Sequence, residues 1–281
     1  MPRLAARRTR VAAARIVAAG LAGPGLAALA LMGVAAPAGA AARASAVHYV
    51  ALGDSYSSGL GAGFMFSSSG SCARSTKAYS RLWDLAHRPS TYRSVACNGA
   101  NTSTVIATQL HALSAATTLV SITVGGNDAG FVATVEACLL HPGARCTAAI
   151  RAAEAKVATL LPGRLNNVLR HIARAAPRAR VVVLGYPDLY DASRTCIGLS
   201  AANRAELNQA AGQLDAAIKA AAGRARDTFA DPRPAFAGHS ICDPGSWLHA
   251  VSILYISQSF HPTAAGQARG YLPAFSRAAA S

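Results

Sequence analysis

Short apolar runs alternate with longer Ala/Leu-rich segments along most of this chain, and that alternation leaves few folds open. The runs are residues 47–52, 92–96, 119–124 and 181–184, with a weaker one at 228–230. Between them lie segments of helical spacing near 80–86, 102–113, 147–175 and 201–222, the third interrupted by Pro162-Gly163. Strands alternating with helices imply an α/β fold: a mostly parallel central sheet covered by helices on both faces, three layers in all. No repeat and no second domain is visible. Three long loops, near 61–75, 186–199 and 236–260, are rich in Gly, Ser and Pro, and each carries a cysteine. Long ordered loops around one sheet edge commonly shape a binding site.

The first residues stand apart. Arg3, Arg7, Arg8, Arg10 and Arg15 form a basic head, an apolar stretch follows from about Ile16 to Val34, and no acidic residue occurs before Asp54. Small residues suited to cleavage come next, at Ala38-Gly39-Ala40 or later at Ala44-Ser45-Ala46. This is the pattern of a secretory signal peptide, expected over 1–40 with cleavage as late as 46. The remainder, 47–281, is long enough for one domain with a sizeable core. Export places the protein outside the cell. The formal charge of +15 includes the five leader arginines, and the chain holds no basic run beyond the leader and no aromatic interleaving. Nucleic acid is therefore not an expected partner.

The first run ends in Gly53-Asp54-Ser55-Tyr56-Ser57-Ser58-Gly59. A strand that stops in a Gly-rich turn and restarts as a helix presents the turn residue at its carboxyl end, where open α/β sheets place ligands. A serine there exposes its Oγ, while its N–H sits at a helix N-terminus that favours developing negative charge. Gly125-Gly126-Asn127-Asp128 follows the third run and occupies the same kind of position. Near the C-terminus, Ser259-Phe260-His261-Pro262-Thr263-Ala264-Ala265-Gly266 is a loop entering a final helix. Pro262 suits that helix's first turn and would fix His261 at its start. A nucleophile, an amide donor and a base, each at an element end, are the parts that acyl transfer requires. Of the eight histidines only His261 lies in such a block; His239 and His249, in the preceding loop, are its rivals. Asp54 and Asp128 read as structural, bonding turn amides. The Gly-x-Ser-x-Gly elbow, the P-loop and the dinucleotide fingerprint are all missing, so no cofactor is implied. No cysteine pair has zinc-knuckle spacing and no His-Glu-x-x-His occurs, so no metal site is expected.

Together with Cys97-Asn98-Gly99-Ala100, and in this order, the blocks closely resemble those of the GDSL or SGNH hydrolases, in particular secreted streptomycete lipases and phospholipases. The resemblance covers about the whole chain after the leader. It implies a flavodoxin-like three-layer fold, Ser55 as nucleophile and His261 as base. It implies an oxyanion hole made of the Ser55 N–H, the Gly99 N–H and the Asn127 side-chain amide. The chain departs from the family at two points. Asn101 stands where relatives usually carry Thr or Ser. More consequentially, Gln258 occupies the position of the usual Asp three residues before the histidine, and no acidic residue follows Asp243. Some streptomycete relatives orient the histidine with a main-chain carbonyl, and the resemblance implies the same here, with that of Gln258 expected.

Six cysteines in an exported chain suggest three disulfides, and the count alone leaves fifteen pairings open. The resemblance implies neighbour pairs: Cys72–Cys97, Cys138–Cys146 and Cys196–Cys242. The function expected is a secreted, monomeric serine esterase acting on acyl esters of lipids, a lipase, carboxylesterase or phospholipase A, in transient contact with lipid interfaces. Removal of acetyl groups from polysaccharide, or a catalytically silent binding protein of the same fold, are the alternatives.

Overall fold

A computed structural model describes residues 46–280 apart from 197 and 253. The expected signal peptide, 1–40, lies outside them. The elements in chain order are β1 His48–Gly53, α1 Ser55–Ser58, α2 Tyr79–His87, β2 Thr91–Ser94, α3 Thr102–Thr108, β3 Leu119–Thr123, α4 Gly126–Ala129, α5 Phe131–Leu140, α6 Ala144–Thr159, α7 Leu161–Ala175, β4 Arg180–Leu184, α8 Ala201–Ala225, β5 Thr228–Ala230, α9 Arg233–Phe236 and α10 Leu272–Ala280. Short 3-10 turns and a π-helical stretch, Gly266–Tyr271, complete the set.

The five strands form one parallel sheet in the order β2-β1-β3-β4-β5. Every residue of β3 is buried and so is β1 from Tyr49 onward, as continuous apolar runs require when helices cover both faces. The edge strand β2 is half-exposed and alternates. Its paired span ends at Ser94, short of the expected 96, although the Val95 and Cys97 N–H groups still bond the Ala51 and Gly53 carbonyls of β1; the next N–H, of Asn98, turns away to the Cys72 carbonyl. The long third segment divides at Leu160 into α6 and α7. Pro162 sits in the first turn of α7, where its missing N–H costs no helical bond.

The strand order reverses direction between β1 and β3, the crevice at which doubly wound sheets bind ligands. Ser55 lies just beyond the end of β1, and Asn127 just beyond β3. Their two strand ends are locked together. Asp54 N–H donates to Thr123 O, and the Ser57 and Thr123 hydroxyls bond each other at 2.8 Å. Gly53 has φ +119°, and a Cβ there would stand 2.4 Å from the Thr123 carbonyl oxygen, so only glycine lets the strands come this close.

Disulfides Cys72–Cys97, Cys138–Cys146 and Cys196–Cys242 close loops of 25, 8 and 46 positions. The first fastens the loop after α1 to the turn that carries Gly99. The second joins α5 to α6, and the third joins two of the long loops.

Candidate active site

Ser55 opens α1, whose N-cap is Asp54. One Asp54 carboxylate oxygen accepts from the Tyr56 N–H at 3.0 Å and the Thr123 hydroxyl at 2.6 Å; the other accepts from the Tyr186 hydroxyl at 2.5 Å. Burial pushes this carboxyl up to about 6, against the pull of those donors. Asp54 thus anchors the turn rather than facing solvent. Ser55 itself is 7% exposed, and its hydroxyl lies 2.7 Å from His261 Nε2.

His261 comes from a loop with short bonds on every side. Its Nδ1–H donates to the Ser259 carbonyl at 3.0 Å, which leaves the Nε2 lone pair to accept from Ser55. The carbonyl expected here, that of Gln258, also acts on the ring, but less than that of Ser259. Gln258 O accepts the His261 backbone N–H at 3.1 Å, closing a tight turn that aims the next carbonyl, of Ser259, at the ring. Among the described residues no carboxylate bonds His261; Asp243 is engaged with the Ser240 N–H and with Arg194. Burial, and to a lesser degree the nearby His249, lower His261 to about 4, so the imidazole is neutral at ordinary pH. The rivals are occupied elsewhere. His249 Nε2 bonds the Gly61 carbonyl at 2.7 Å, and His239 stacks on Trp247.

The expected donors sit in turns that are bonded to one another beside Ser55. Neither the Ser55 N–H nor the Gly99 N–H has a partner among the described residues. Gly99 takes φ +77° in an exposed turn held from both sides: Cys97 N–H bonds Gly53 O, and Ala100 O accepts from the Asn127 side-chain amide at 2.9 Å. That last bond orients Asn127 and leaves its second amide hydrogen over. Asp128 ties the same two turns, accepting from the Thr102 N–H at 2.9 Å and its hydroxyl at 2.7 Å. Asn101 serves as the N-cap of α3, accepting from the Thr104 N–H, which accounts for an Asn in place of the usual hydroxyl residue.

A narrow, mostly apolar crevice, open to solvent, runs from Ser55 between α5, α6 and α8. Phe131, Val157, Leu189, Leu207 and Leu214 supply its apolar walls, and Ala153, Ala210 and Ala211 leave the room between the helices.

Four further residues hold the site together and were not singled out from the sequence. Gln109 pairs with both backbone groups of Gly53, at 2.8 and 2.9 Å. Gln267, in the π-helical stretch, bonds Tyr56 O and the Tyr79 N–H. The Tyr56 hydroxyl donates to Phe260 O at 2.7 Å, joining the serine turn to the histidine loop. The Tyr186 hydroxyl joins Asp54 to the Gly126 N–H, the latter at 3.3 Å. The only advance signal was that glutamine and tyrosine buried in an α/β core must find partners.

Residues 51–269 match the GDSL-like Lipase/Acylhydrolase family. The chain is 50% identical over 244 residues to Lipase 1 of Streptomyces coelicolor, covering 87% of this chain and 91% of that protein. Among solved structures it is similar to phospholipase A1 from Streptomyces albidoflavus, with a TM-score of 0.82 and 47% identity over 83% of this chain and 99% of that one. It is equally similar to the extracellular lipase of Streptomyces rimosus, with a TM-score of 0.81 and 47% identity over 83% and 100%.

Proposed function

This chain belongs to the GDSL-like lipase/acylhydrolase family and is an ester hydrolase, and from that premise we propose that it is a secreted enzyme cleaving acyl esters of lipids through an acyl-enzyme on Ser55. His261 Nε2 takes the Ser55 proton as Oγ attacks the ester carbonyl. The resulting oxyanion is met by the Ser55 N–H, the Gly99 N–H and the Asn127 amide. His261 then hands the proton to the leaving alcohol, and a water molecule repeats the sequence to release the acid. The Ser259 carbonyl holds the imidazole in the tautomer this requires. Export is supported by the leader pattern, and by the Streptomyces rimosus relative, which is an extracellular lipase. No helix among the described residues is long and apolar enough to cross a membrane. The fold after the leader, 47–281, acts as a single catalytic domain and works as a monomer.

The apolar cleft opening at Ser55 carries the lipid reading over removal of acetyl groups from polysaccharide, because an acetyl group would leave most of its walls unused. A panel of esters from acetyl to long acyl, with a phospholipid, on wild type and Ser55→Ala tests it. We expect kcat/KM to hold or rise with chain length, and Ser55→Ala to be inactive throughout. Activity confined to acetyl esters, with acetate released from acetylated polysaccharide, would transfer the assignment to the carbohydrate substrate.

A further inference from the structure

Seven of the eleven large hydrophobic side chains exposed among the described residues lie in two loops, Phe64, Met65 and Phe66 in one and Val251, Leu254, Tyr255 and Ile256 in the other. Single exposed hydrophobics need no explanation, but clusters of this size do. Phe64 is 74% exposed and Leu254 86%, well beyond what incomplete packing leaves. Both loops are rooted at the reacting residues. The first leaves α1 through Gly61, whose carbonyl accepts from His249, and a Cβ on Gly61 would stand 3.1 Å from that of His261. The second is closed at its base by Ser252 N–H donating to the Ser259 hydroxyl at 3.1 Å, two residues before His261.

The first loop is built to present its rings. Phe64 O and the Phe66 N–H bond Thr76 and Arg74 across a short antiparallel pairing, which the Cys72–Cys97 disulfide fastens to the sheet edge. Phe64 holds φ 51°, a conformation that costs a bulky residue of order 1–3 kcal/mol, and its ring remains in solvent. Folding alone gains nothing from that arrangement. Charge adds a second constraint. Lys77 lies 5.5 Å from the Phe64 ring centre, on the exposed side of the loop, whereas the half-buried Arg74 turns its guanidinium to the Ala96 carbonyl. No acidic residue occurs between Asp54 and Asp84, and none follows Asp243, so neither loop carries a carboxylate.

We propose that these two loops form a docking surface for lipid aggregates with anionic headgroups. The apolar side chains enter the headgroup and acyl boundary, Lys77 meets a headgroup phosphate, and the mouth of the Ser55 cleft is brought against the layer. The proposal rests on the lipid-ester reading above and extends it to the physical state of the substrate.

The test uses the mature Ser55→Ala protein, which keeps the surface and does not consume the lipid. Co-sedimentation with phosphatidylglycerol vesicles should show binding, with weaker binding to phosphatidylcholine. The pairs Phe64→Ser/Phe66→Ser and Leu254→Ser/Ile256→Ser, made on Ser55→Ala, should each weaken binding more than about tenfold. Lys77→Glu should weaken binding to phosphatidylglycerol selectively. On the wild-type background the same pairs should keep kcat/KM for a dissolved short-chain ester within about twofold, while hydrolysis of vesicle lipid falls with binding. Undiminished vesicle binding by both pairs overturns the proposal, as does a dimer by size-exclusion chromatography that only the pairs dissolve. A wild type that cleaves no dissolved ester would instead overturn the esterase reading, leaving vesicle binding to be judged by itself.

Discussion

Replacing Tyr186 with Phe removes one hydroxyl from beneath the active site and should produce a stability loss that depends on pH in a defined direction. In the native protein that hydroxyl donates to Asp54 at 2.5 Å and receives the Gly126 N–H at 3.3 Å. Asp54 is 1% exposed, and burial raises its carboxyl to about 6; the Tyr186 bond acts against that rise. A group whose folded pKa exceeds its unfolded value contributes stability while protonated and loses that contribution as pH rises through the folded value. Without Tyr186 the carboxyl titrates higher still, and above pH 6 a buried charge loses a donor. Hydrogen bonds to charged groups contribute about 1.5–3 kcal/mol and neutral ones about 0.5–1.5 kcal/mol. Urea denaturation should therefore give a loss of about 1.5–3 kcal/mol at pH 8 and about 0.5–1.5 kcal/mol at pH 5. Because Gly126 precedes Asn127, kcat should fall by roughly three- to tenfold with little change in KM. Equal losses at the two pH values, or a larger one at pH 5, would refute the reasoning, since Asp54 would then not be the group that Tyr186 serves.

Three other outcomes follow from the site. Because His261 must be neutral to accept a proton and is held down to about 4, kcat/KM should fall only as pH drops through about 4, and a pH–rate profile with its limb at the ordinary histidine value would contradict that burial. Asn127→Ala should lower kcat by about a hundredfold or more while the protein still folds, and a kcat near wild type would refute its role as an oxyanion donor; the buried Ala100 carbonyl it releases should also lower the urea midpoint, by about 1–3 kcal/mol of stability. All six cysteines should resist thiol labelling after unfolding, and Cys72→Ala/Cys97→Ala should cost about 3.5 kcal/mol by the chain-entropy estimate. The same pair should lower kcat, since the Cys97 turn carries Gly99, whereas loss of Cys196–Cys242 should spare it.

What the sequence reveals here divides by physical cause. The strands are legible because a parallel strand buried on both faces is an unbroken apolar run, and β3 and β4 begin within a residue of their runs. The site blocks are legible because their chemistry needs particular residue types at strand and helix ends. Helix α5 is not. Its sequence FVATVEACLL is apolar on most sides and mixes β-branched with helix-forming residues, so no period emerges. It is helical because it packs on α6 and is joined to it by Cys138–Cys146. Gln109 and Gln267 escape notice for another reason. Their partners lie 56 and 211 positions away, and an isolated glutamine gives no sign of which backbone it will complete. The leading acceptor is displaced by one residue from the expected Gln258 on a local matter: the tight turn at 258–261 gives the first carbonyl chiefly to the backbone and leaves the second for the ring.

That displacement bears on how a serine and histidine manage without a carboxylate. A buried aspartate beside His261 would raise the imidazole's proton affinity and stabilise the imidazolium formed as Ser55 attacks. The Ser259 carbonyl fixes the same tautomer with a dipole alone, which offsets only part of the effect of burial, and His261 stays far below its ordinary value. Such a base is present in its active form over a wide pH range but drives proton transfer less strongly. More of the barrier must then be lowered elsewhere, by donors that need no reorganisation when charge appears. The site is arranged for that. The Ser55 and Gly99 N–H groups are uncommitted, Asn127 is held by Ala100, and its neighbour Asp128 is held by Thr102. Adding a carboxylate by Gln258→Asp would therefore gain little: the Gln258 carbonyl closes the turn, and the bond on Nδ1 already belongs to the next residue. We expect that variant to change kcat by less than about threefold and to leave the acid limb below the ordinary histidine value. A large gain in kcat, with the limb moving up towards that value, would show that the missing charge, and not the donors, limits the reaction.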